Sequence, residues 1–340
     1  MSELGLGRNQ LNTDELRAYS FIEDALKKHA TTCDVSKVPR TVDIMEILLT
    51  VLGDNPDVIY FNKTKIRTMT SLFGKQVSFA GCMSKAQALQ YEKQLKKALE
   101  DAVWEIDKGA KDDKDILIRT SEYLQRNVSY DKEELRAAML GRSKHPEAHN
   151  AYGALVNHKA VCDGFASAYA LIAQYFGMKC MVVDGKSSYN RNAKVEHAWN
   201  IIEYQGQYFH IDATWDTNTY ETIKVYSYDY FGLDDDEVSV DHEWNYRRTP
   251  KCNSDKLSYF IANGLYAYSE AQVEELLCKK MKQREDVIRI KISPGISFPG
   301  DGIKFLEGKM MSAASRVGLT CAFNYTWQEN NRCLIVILDR

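Results

Sequence analysis

The sequence lacks several features that would each have indicated a class of protein. Its 340 residues contain no apolar run near the roughly 20 residues that a membrane-spanning helix needs. No basic block interleaved with aromatic residues is present, and the formal net charge of −3 gives no general attraction for nucleic acid or anionic membranes. We therefore expect a soluble protein that binds neither nucleic acid nor a membrane.

Paired cysteines are also missing. The eight cysteines are scattered without a CxxC pair, which argues against a paired-knuckle zinc site and against a disulfide framework. The first residues show no basic stretch followed by an apolar one, so no secretory signal is predicted. These absences predict a reduced, cytoplasmic protein without a metal or another cofactor. A signal cropped from the start of the chain would instead make the protein a secreted one.

The length of the chain allows two domains, or one large domain with a satellite. Residues 1–110 mix helical and strand patterns and form a predicted N-terminal accessory region of α/β type. Residues 111–250 carry the motifs described below, and residues 251–340 read as a small α+β C-terminal domain. Nothing in the two flanking regions indicates whether they select substrate, cover a cleft or bind a partner, and the oligomeric state is not predicted.

A cysteine lies where a helix should begin. Residues 165–176 are rich in alanine and other apolar residues, and Gly177 is a good helix stop, which places Cys162 in the first turn. Unpaired backbone N–H groups and the positive end of the helix dipole favour a thiolate there. A buried core cysteine is the simpler interpretation unless a base lies elsewhere in the chain.

The stretch 196–216 supplies such a base. Its two halves are rich in β-branched and aromatic residues around a two-residue turn at 205–206, which predicts a hairpin whose second strand runs to Thr214. Alternation then places His197 and Asp212 on one face as diagonal cross-strand neighbours, opposite an apolar face. Alone, each would be a structural histidine or a capping aspartate, but together with the cysteine they favour an active site.

These residue types suggest nucleophilic catalysis at a carbonyl. Cys162 would attack as a thiolate, His197 would take its proton and later protonate the leaving group, and Asp212 would fix the imidazole tautomer. The backbone N–H of Cys162 could donate to the developing oxyanion, with Tyr152 or Asn157 as a second donor.

Two tryptophans flank the pair formed by the histidine and the aspartate. Trp199 and Trp215 are candidates for the walls of a substrate cleft, and core packing explains either of them equally well.

Residues 152–216 resemble the bacterial members of the transglutaminase-like superfamily through the motifs VCDG, HAWN and IDATWD, and residues 226–244 resemble the segment that usually follows. The resemblance implies Cys162, His197 and Asp212 as the catalytic triad in that chain order. It also implies an α+β fold with a papain-like core, in which the cysteine-bearing helix packs on an antiparallel sheet.

The superfamily includes several reactions that share an acyl-thioester step, so the fold does not decide among them. We predict a cysteine peptidase or amidase that hydrolyses a protein or peptide substrate. The alternatives are a protein-glutamine transglutaminase or deamidase, and a non-catalytic binding module on the same scaffold.

Metal-dependent hydrolysis is an alternative of a different class. His145 and His149 lie four residues apart with His158 nearby, but no glutamate is in the HExxH position and Pro146 disfavours a continuous helix. Surface histidines are the simpler account. The consecutive carboxylates of residues 233–238 do not fit a calcium loop of the EF-hand type and predict a capped helix start instead.

Overall fold

The computed structural model describes residues 4–60, 66–71, 74–79, 83–188, 194–298 and 301–339. The helices in this part of the chain are α1 (Thr13–Lys27), α2 (Ile44–Asp54), α3 (Lys85–Asp107), α4 (Asp113–Asn127), α5 (Lys132–Met139), α6 (Ala151–Leu155), α7 (Cys162–Tyr175), α8 (Ala213–Ile223), α9 (Asp235–Val238), α10 (Tyr259–Ala262), α11 (Glu270–Lys282) and α12 (Gly302–Val317). The strands are β1 (Thr32–Asp34), β2 (Arg67–Ser71), β3 (Gly74–Ser78), β4 (Ser129–Tyr130), β5 (Lys159–Ala160), β6 (Cys180–Ser187), β7 (Val195–Tyr204), β8 (Gln207–Ile211), β9 (Phe231–Leu233), β10 (His242–Trp244), β11 (Tyr266–Ala267), β12 (Val287–Ile292), β13 (Ala322–Gln328) and β14 (Cys333–Asp339).

The central sheet is antiparallel and has the strand order β10-β6-β7-β8-β9. β7 and β8 form the predicted hairpin, with Tyr204 opposite Gln207. Gln205 and Gly206 adopt φ values of 51° and 74°, the left-handed conformation that a type I′ turn requires at both central positions. The turn therefore fixes the register that places His197 and Asp212 on the same side of the sheet.

The prediction that the second strand runs to Thr214 is wrong. The β7–β8 ladder stops at the pair Asn200–Ile211, and α8 begins at Ala213. The cause is Asp212, whose carboxylate accepts hydrogen bonds from the backbone N–H groups of Thr214 and Trp215 and so caps the helix.

Helix α7 packs on β6 and β7 of this sheet, which confirms the predicted α+β arrangement of a cysteine-bearing helix on an antiparallel sheet. The Asn200 side chain donates to the Ala166 carbonyl at 2.9 Å and to the Met181 carbonyl at 3.3 Å, and so joins β7 to the helix. The sheet face toward α7 is apolar, as predicted, and contributes Ala198 and Phe209 to the central core.

Three further apolar clusters accompany this core, and one of them contains Trp199, Tyr230 and Trp244 near the candidate site described below. The other two come from the regions on either side of the central one. One is built from α1, α2 and the sheet β1-β3-β2, and the other from α11, α12 and the sheet β11-β12-β14-β13. Helix α3 contributes Leu95 and Ile106 to the central core. The domain boundaries near residues 110 and 250 stay predictions. Among the described residues, no helix combines the length and apolarity needed to cross a bilayer.

Candidate active site

Cys162 is the first residue of α7 and is 8% exposed. The preceding residue, Val161, offers no side-chain cap, so no N-cap side chain takes up the backbone N–H of Cys162, whereas the Gly164 N–H donates to the Val161 carbonyl at 2.9 Å. Gly164 is required close behind, because a Cβ there would lie 2.4 Å from the Ala148 carbonyl oxygen. The glycine of the CDG motif thus allows the start of α7 to pack closely against the segment that contains Ala148.

His197 joins Cys162 to Asp212. Its Nε2 lies 2.6 Å from Asp212 Oδ2, and its ring is close enough to the Cys162 side chain for the sulfur to contribute to raising the pKa of His197. Since Nε2 faces the carboxylate, Nδ1 is the nitrogen available to the sulfur. The structure therefore brings the three predicted residues together, in the order that the sequence analysis proposed.

The charges of this group are strongly coupled. Burial by itself lowers the pKa of His197, but the adjacent Asp212 carboxylate outweighs burial and raises the pKa to about 9. Burial raises the pKa of Asp212, and the charge and hydrogen bond of His197, with those of His242, outweigh that effect and hold it well below its usual range. At neutral pH the pair is an imidazolium and a carboxylate.

A second histidine contacts the same carboxylate, and sequence reasoning missed it. His242 Nε2 lies 3.1 Å from Asp212 Oδ2, and His242 Nδ1 lies 2.6 Å from Asp241 Oδ1. The Tyr230 hydroxyl donates to Asp241 Oδ2 at 2.7 Å. His242 is 3% exposed, and its two carboxylate partners overcome burial and raise its pKa to about 9.

Strand β6 lies between β10 and β7 and explains how His242 on β10 reaches His197 on β7. On β6, Gly185 pairs with His197 and Ser187 pairs with His242, so both small residues share the face of the two histidines. A Cβ at Gly185 would lie 2.6 Å from the Trp199 ring. The absence of a side chain there lets rings from β7 and β10 meet above β6.

Asp212 performs two tasks with its two oxygens. Oδ1 accepts from the backbone N–H groups of Thr214 (2.9 Å) and Trp215 (3.1 Å), and Oδ2 faces the two histidines. The cap and the ion pair hold the carboxylate in one orientation. The structure confirms the interpretation of Asp212 as a helix cap, and the same carboxylate lies against the histidine as the catalytic prediction requires.

Tyr130 is a further residue that the sequence analysis did not select. Its hydroxyl lies against the Cys162 backbone N–H, and its pKa is raised by burial and by the nearby Cys162 and Asp163. The parallel pair β4–β5 places Tyr130 beside Ala160, two residues before the cysteine. The available signal was the sequence NVSYD, residues 127–131, in which α4 ends and a short strand begins.

The two side chains predicted as second oxyanion donors lie elsewhere. The Tyr152 hydroxyl donates to Gln94 Oε1 at 2.6 Å, and its ring stacks on Tyr91 at 4.4 Å between centroids. Asn157 is exposed in the turn after α6. Proximity in sequence was misleading because the Tyr152 hydroxyl is bound to Gln94 and Asn157 lies beyond the end of α6 on the surface.

The two tryptophans have different positions. Trp199 is 1% exposed and donates from Nε1 to His210 Nδ1 at 3.0 Å, so it packs beneath the site and does not wall a cleft. Trp215 is half-buried, lies 5.9 Å from the His197 ring between centroids, and lines a cavity of about 190 Å³. Tyr230 and residues 328–330 of the C-terminal region complete that cavity.

The histidines considered for a metal site have separate partners. His145 Nδ1 lies 2.8 Å from Asp131 Oδ2, whereas His149 lies 3.1 Å from both Glu134 and Asp163. His158 is exposed. The position of His149 between α5 and the residue after Cys162 indicates a structural connection rather than a metal ligand.

Two other groups of side chains have the chemistry of metal ligands, and their geometry fits hydrogen bonding better. They are His197, Asp212, His242 and His210, Asp235, Cys252. Ligand atoms on one tetrahedral zinc lie about 3.3 Å apart, for bonds of ~2.0–2.1 Å, whereas His197 and Asp212 are 2.6 Å apart. His210 accepts from Trp199 at Nδ1, so Nε2 carries its hydrogen and donates to Asp235 at 3.0 Å.

Comparison with known proteins identifies the family of the central region. Residues 100–213 match the sequence model of the Transglutaminase-like superfamily. The matched segment contains Cys162, His197 and Asp212. Residues 100–213 are therefore assigned to the transglutaminase-like superfamily, which confirms the resemblance at the level of the superfamily.

Curated relatives and solved structures are similar over part of the chain. The kyphoscoliosis peptidase of Homo sapiens is 29% identical over 76 residues, 20% of this chain and 12% of the human protein. The Mus musculus protein is 26% identical over 117 residues, 31% and 17% of the two chains. A solved TGase is 17% identical with a TM-score of 0.32, covering 44% of this chain and 43% of that one. A Cytophaga hutchinsonii protein proposed to be a cysteine protease is 13% identical with a TM-score of 0.28, covering 44% and 61%.

Proposed function

We propose that this protein is a thiol-dependent acyl-transfer enzyme that acts on peptide or side-chain amides, as a cysteine peptidase or amidase. The observation that carries the proposal is His197, which lies 2.6 Å from Asp212 and has the Cys162 side chain as its other polar neighbour. A thiol paired with a histidine that a third group orients is the arrangement of nucleophilic acyl transfer. The family match and the peptidase relatives support the same class.

The first half of the proposed reaction forms a thioester. An imidazolium beside a sulfur favours the thiolate, and His197 is protonated at neutral pH. The Cys162 thiolate attacks the amide carbonyl carbon and forms a C–S bond. His197 then gives its proton to the amide nitrogen as the C–N bond breaks, and the amine leaves. Asp212 holds the ring throughout and stabilises its charged form.

The second half of the reaction regenerates the thiolate. Neutral His197 accepts a proton from water as the water oxygen attacks the thioester carbon. The C–S bond breaks, the carboxylic acid leaves, and the thiolate–imidazolium pair is restored. An amine in place of water would give a new amide, the product of a transglutaminase, through the same intermediate.

Negative charge on the carbonyl oxygen needs donors in both halves. The Cys162 backbone N–H lies at the start of α7, and the Tyr130 hydroxyl lies against it. A phenol both accepts and donates hydrogen bonds. We assign these two groups to the oxyanion, in place of Tyr152 and Asn157.

The test is the rate of Cys162 alkylation by iodoacetamide as a function of pH, read by mass spectrometry of the labelled peptide. The parent should react rapidly well below the pH of about 8.5 at which an ordinary thiol ionises, and His197→Ala should remove most of that reactivity. Cys162→Ser identifies the site. Slow labelling that follows an ordinary thiol and ignores the His197 substitution would contradict an enzyme and favour a binding module.

A reactive Cys162 would then be offered glutamine-containing peptides with and without a primary amine. Release of acid product or ammonia in both mixtures indicates hydrolysis or deamidation. Incorporation of the amine at the expense of hydrolysis would replace the hydrolase proposal with a transglutaminase.

A further inference from the structure

We propose that His242, held by Asp241, is a positioning residue of this site: it fixes the Asp212 carboxylate and supplies a second positive charge that sets the pH range in which Cys162 and His197 form the reactive pair. The proposal rests on the function proposed for Cys162. It concerns residues beyond the end of the matched family segment, which stops at residue 213.

The geometry gives His242 one protonation state. Nε2 faces Asp212 Oδ2 at 3.1 Å, and Nδ1 faces Asp241 Oδ1 at 2.6 Å. Both acceptors are carboxylate oxygens, which have no hydrogen to offer when ionised, so both ring nitrogens must donate and the ring is an imidazolium. The Tyr230 hydroxyl binds the second oxygen of Asp241 at 2.7 Å and completes the network.

The result is a buried line of alternating charge. It runs from Asp241 through His242 and Asp212 to His197 and ends at Cys162. The two imidazole rings lie 5.3 Å apart between centroids. A positive charge at this distance favours loss of the proton from the imidazolium of His197. Removing the charge must therefore raise the pH at which His197 loses that proton.

Among the described residues, the elements packed around His242 present both charged and uncharged groups to its ring. Strand β6 presents Ser187 opposite His242, which is uncharged. The titratable groups that face the ring are Asp212 before α8, Asp241 before β10, His197 on β7, His210 on β8 and the Tyr230 hydroxyl before β9. His210 is held neutral by the Trp199 donor, so the charge of His242 is set by its two aspartates.

The chain offers a matched control. His210 is also a buried histidine with a carboxylate partner and, like His242, lies beside Trp199, but its ring is neutral. His242→Gln keeps an amide that can donate to Asp212 and removes a charge. His210→Gln disturbs a comparable volume and removes none. A change that only perturbs packing should look the same in both variants.

The experiment is the pH profile of Cys162 alkylation in the parent and in both variants. We expect His242→Gln to move the upper transition of the profile, which follows the loss of the His197 proton, to higher pH by roughly one to two units, the size for a unit charge ~5 Å away at an effective dielectric constant of 20–40. His210→Gln should leave that transition in place. A His242→Gln profile of reduced height with an unmoved upper transition would overturn the proposal.

A second measurement does not need a variant that folds. Nitrogen NMR of the parent histidine rings at pH 7 should show two protonated nitrogens for His242 and one for His210. A single proton on His242 would overturn the proposal even if Cys162 is reactive. Conversely, an unreactive Cys162 with a doubly protonated His242 would refute the proposed function and leave the charge network standing.

Discussion

Two histidine–carboxylate clusters lie on the same face of the central sheet, and they have opposite charge states. In the first, Asp212 faces His197 and His242, and both rings have a raised pKa. In the second, Asp235 lies 3.0 Å from His210, whose pKa is lowered, chiefly by burial. Burial acts on all three rings, so burial alone does not explain the difference.

The partner of the second ring nitrogen decides the charge. The remaining nitrogen of His242 faces another carboxylate, Asp241, which requires a proton there. The remaining nitrogen of His210 faces the Trp199 N–H, which excludes one. A single donor or acceptor about 3 Å away therefore converts a structural histidine into a buried charge. The comparison therefore distinguishes a charged cluster at the candidate active site from a neutral cluster on the same sheet.

The largest expected effect comes from removing the shared carboxylate. Asp212→Ala leaves two imidazolium rings without their common partner and removes the cap of α8. We expect a loss of about 3–5 kcal/mol in the free energy of unfolding, as for other broken buried ion pairs, measured by urea denaturation at pH 7. Asp212→Asn retains a capping oxygen and should lose less. Asp235→Asn in the neutral cluster should lower the free energy of unfolding by under about 1 kcal/mol. A loss equal to that of Asp212→Ala would remove the distinction between the charged and the neutral cluster.

The next effect is a dependence of stability on pH. His197 and His242 have folded pKa values of about 9, above about 6.5 for an unfolded histidine. Their stabilisation is complete below pH 6.5 and is lost as the pH rises through 9, by up to about 3 kcal/mol for each ring. Asp212, with a lowered pKa, contributes above pH 4 and loses its contribution in acid.

Urea denaturation between pH 5 and 10 measures this dependence. The parent should be most stable near pH 5–6.5, and His242→Gln should show a shallower decline above that range because one titrating ring is gone. Equal slopes in the two proteins would mean that His242 is not charged in the folded state. His210→Gln serves as the control, and its stability should decline above pH 6.5 with the same slope as that of the parent.

The smallest effect tests the neutral cluster directly. Trp199→Phe removes the donor to His210 Nδ1 and keeps most of the packing. We expect a cost of about 1–2 kcal/mol, from an unpaired buried nitrogen and a smaller ring, and a higher pKa for His210, measured by NMR titration. A His210 pKa that does not rise would show that burial, rather than the tryptophan, keeps the ring neutral.

Local patterns were enough to predict the hairpin and the helix start. The turn at Gln205–Gly206 fixes the register by its own conformation, so alternation places His197 and Asp212 correctly. Cys162 follows from an apolar helix and its stop signal. These inferences depend on residues close in sequence, where a steric rule acts directly.

The missed residues depend on contacts between distant segments. His242 pairs with Ser187 across 55 positions, and no local pattern indicates which strand β10 joins. Tyr130 reaches Cys162 because β4 pairs with β5, which are two residues each and too short to be read from composition. Asp212 was predicted to lie in a strand. Its hydrogen bonds to the start of α8 end the strand instead, and they form only when α8 packs in the folded protein.

The position of β10 at the sheet edge has a consequence for any attempt to trim the protein. A fragment that stops at residue 213, where the family match ends, would keep Cys162, His197 and Asp212. It would lose the strand that covers β6, exposing an unpaired edge prone to pairing with other chains. The carboxylate would face one ring rather than two. The smallest fragment that preserves the electrostatic state of the site therefore extends at least to Trp244.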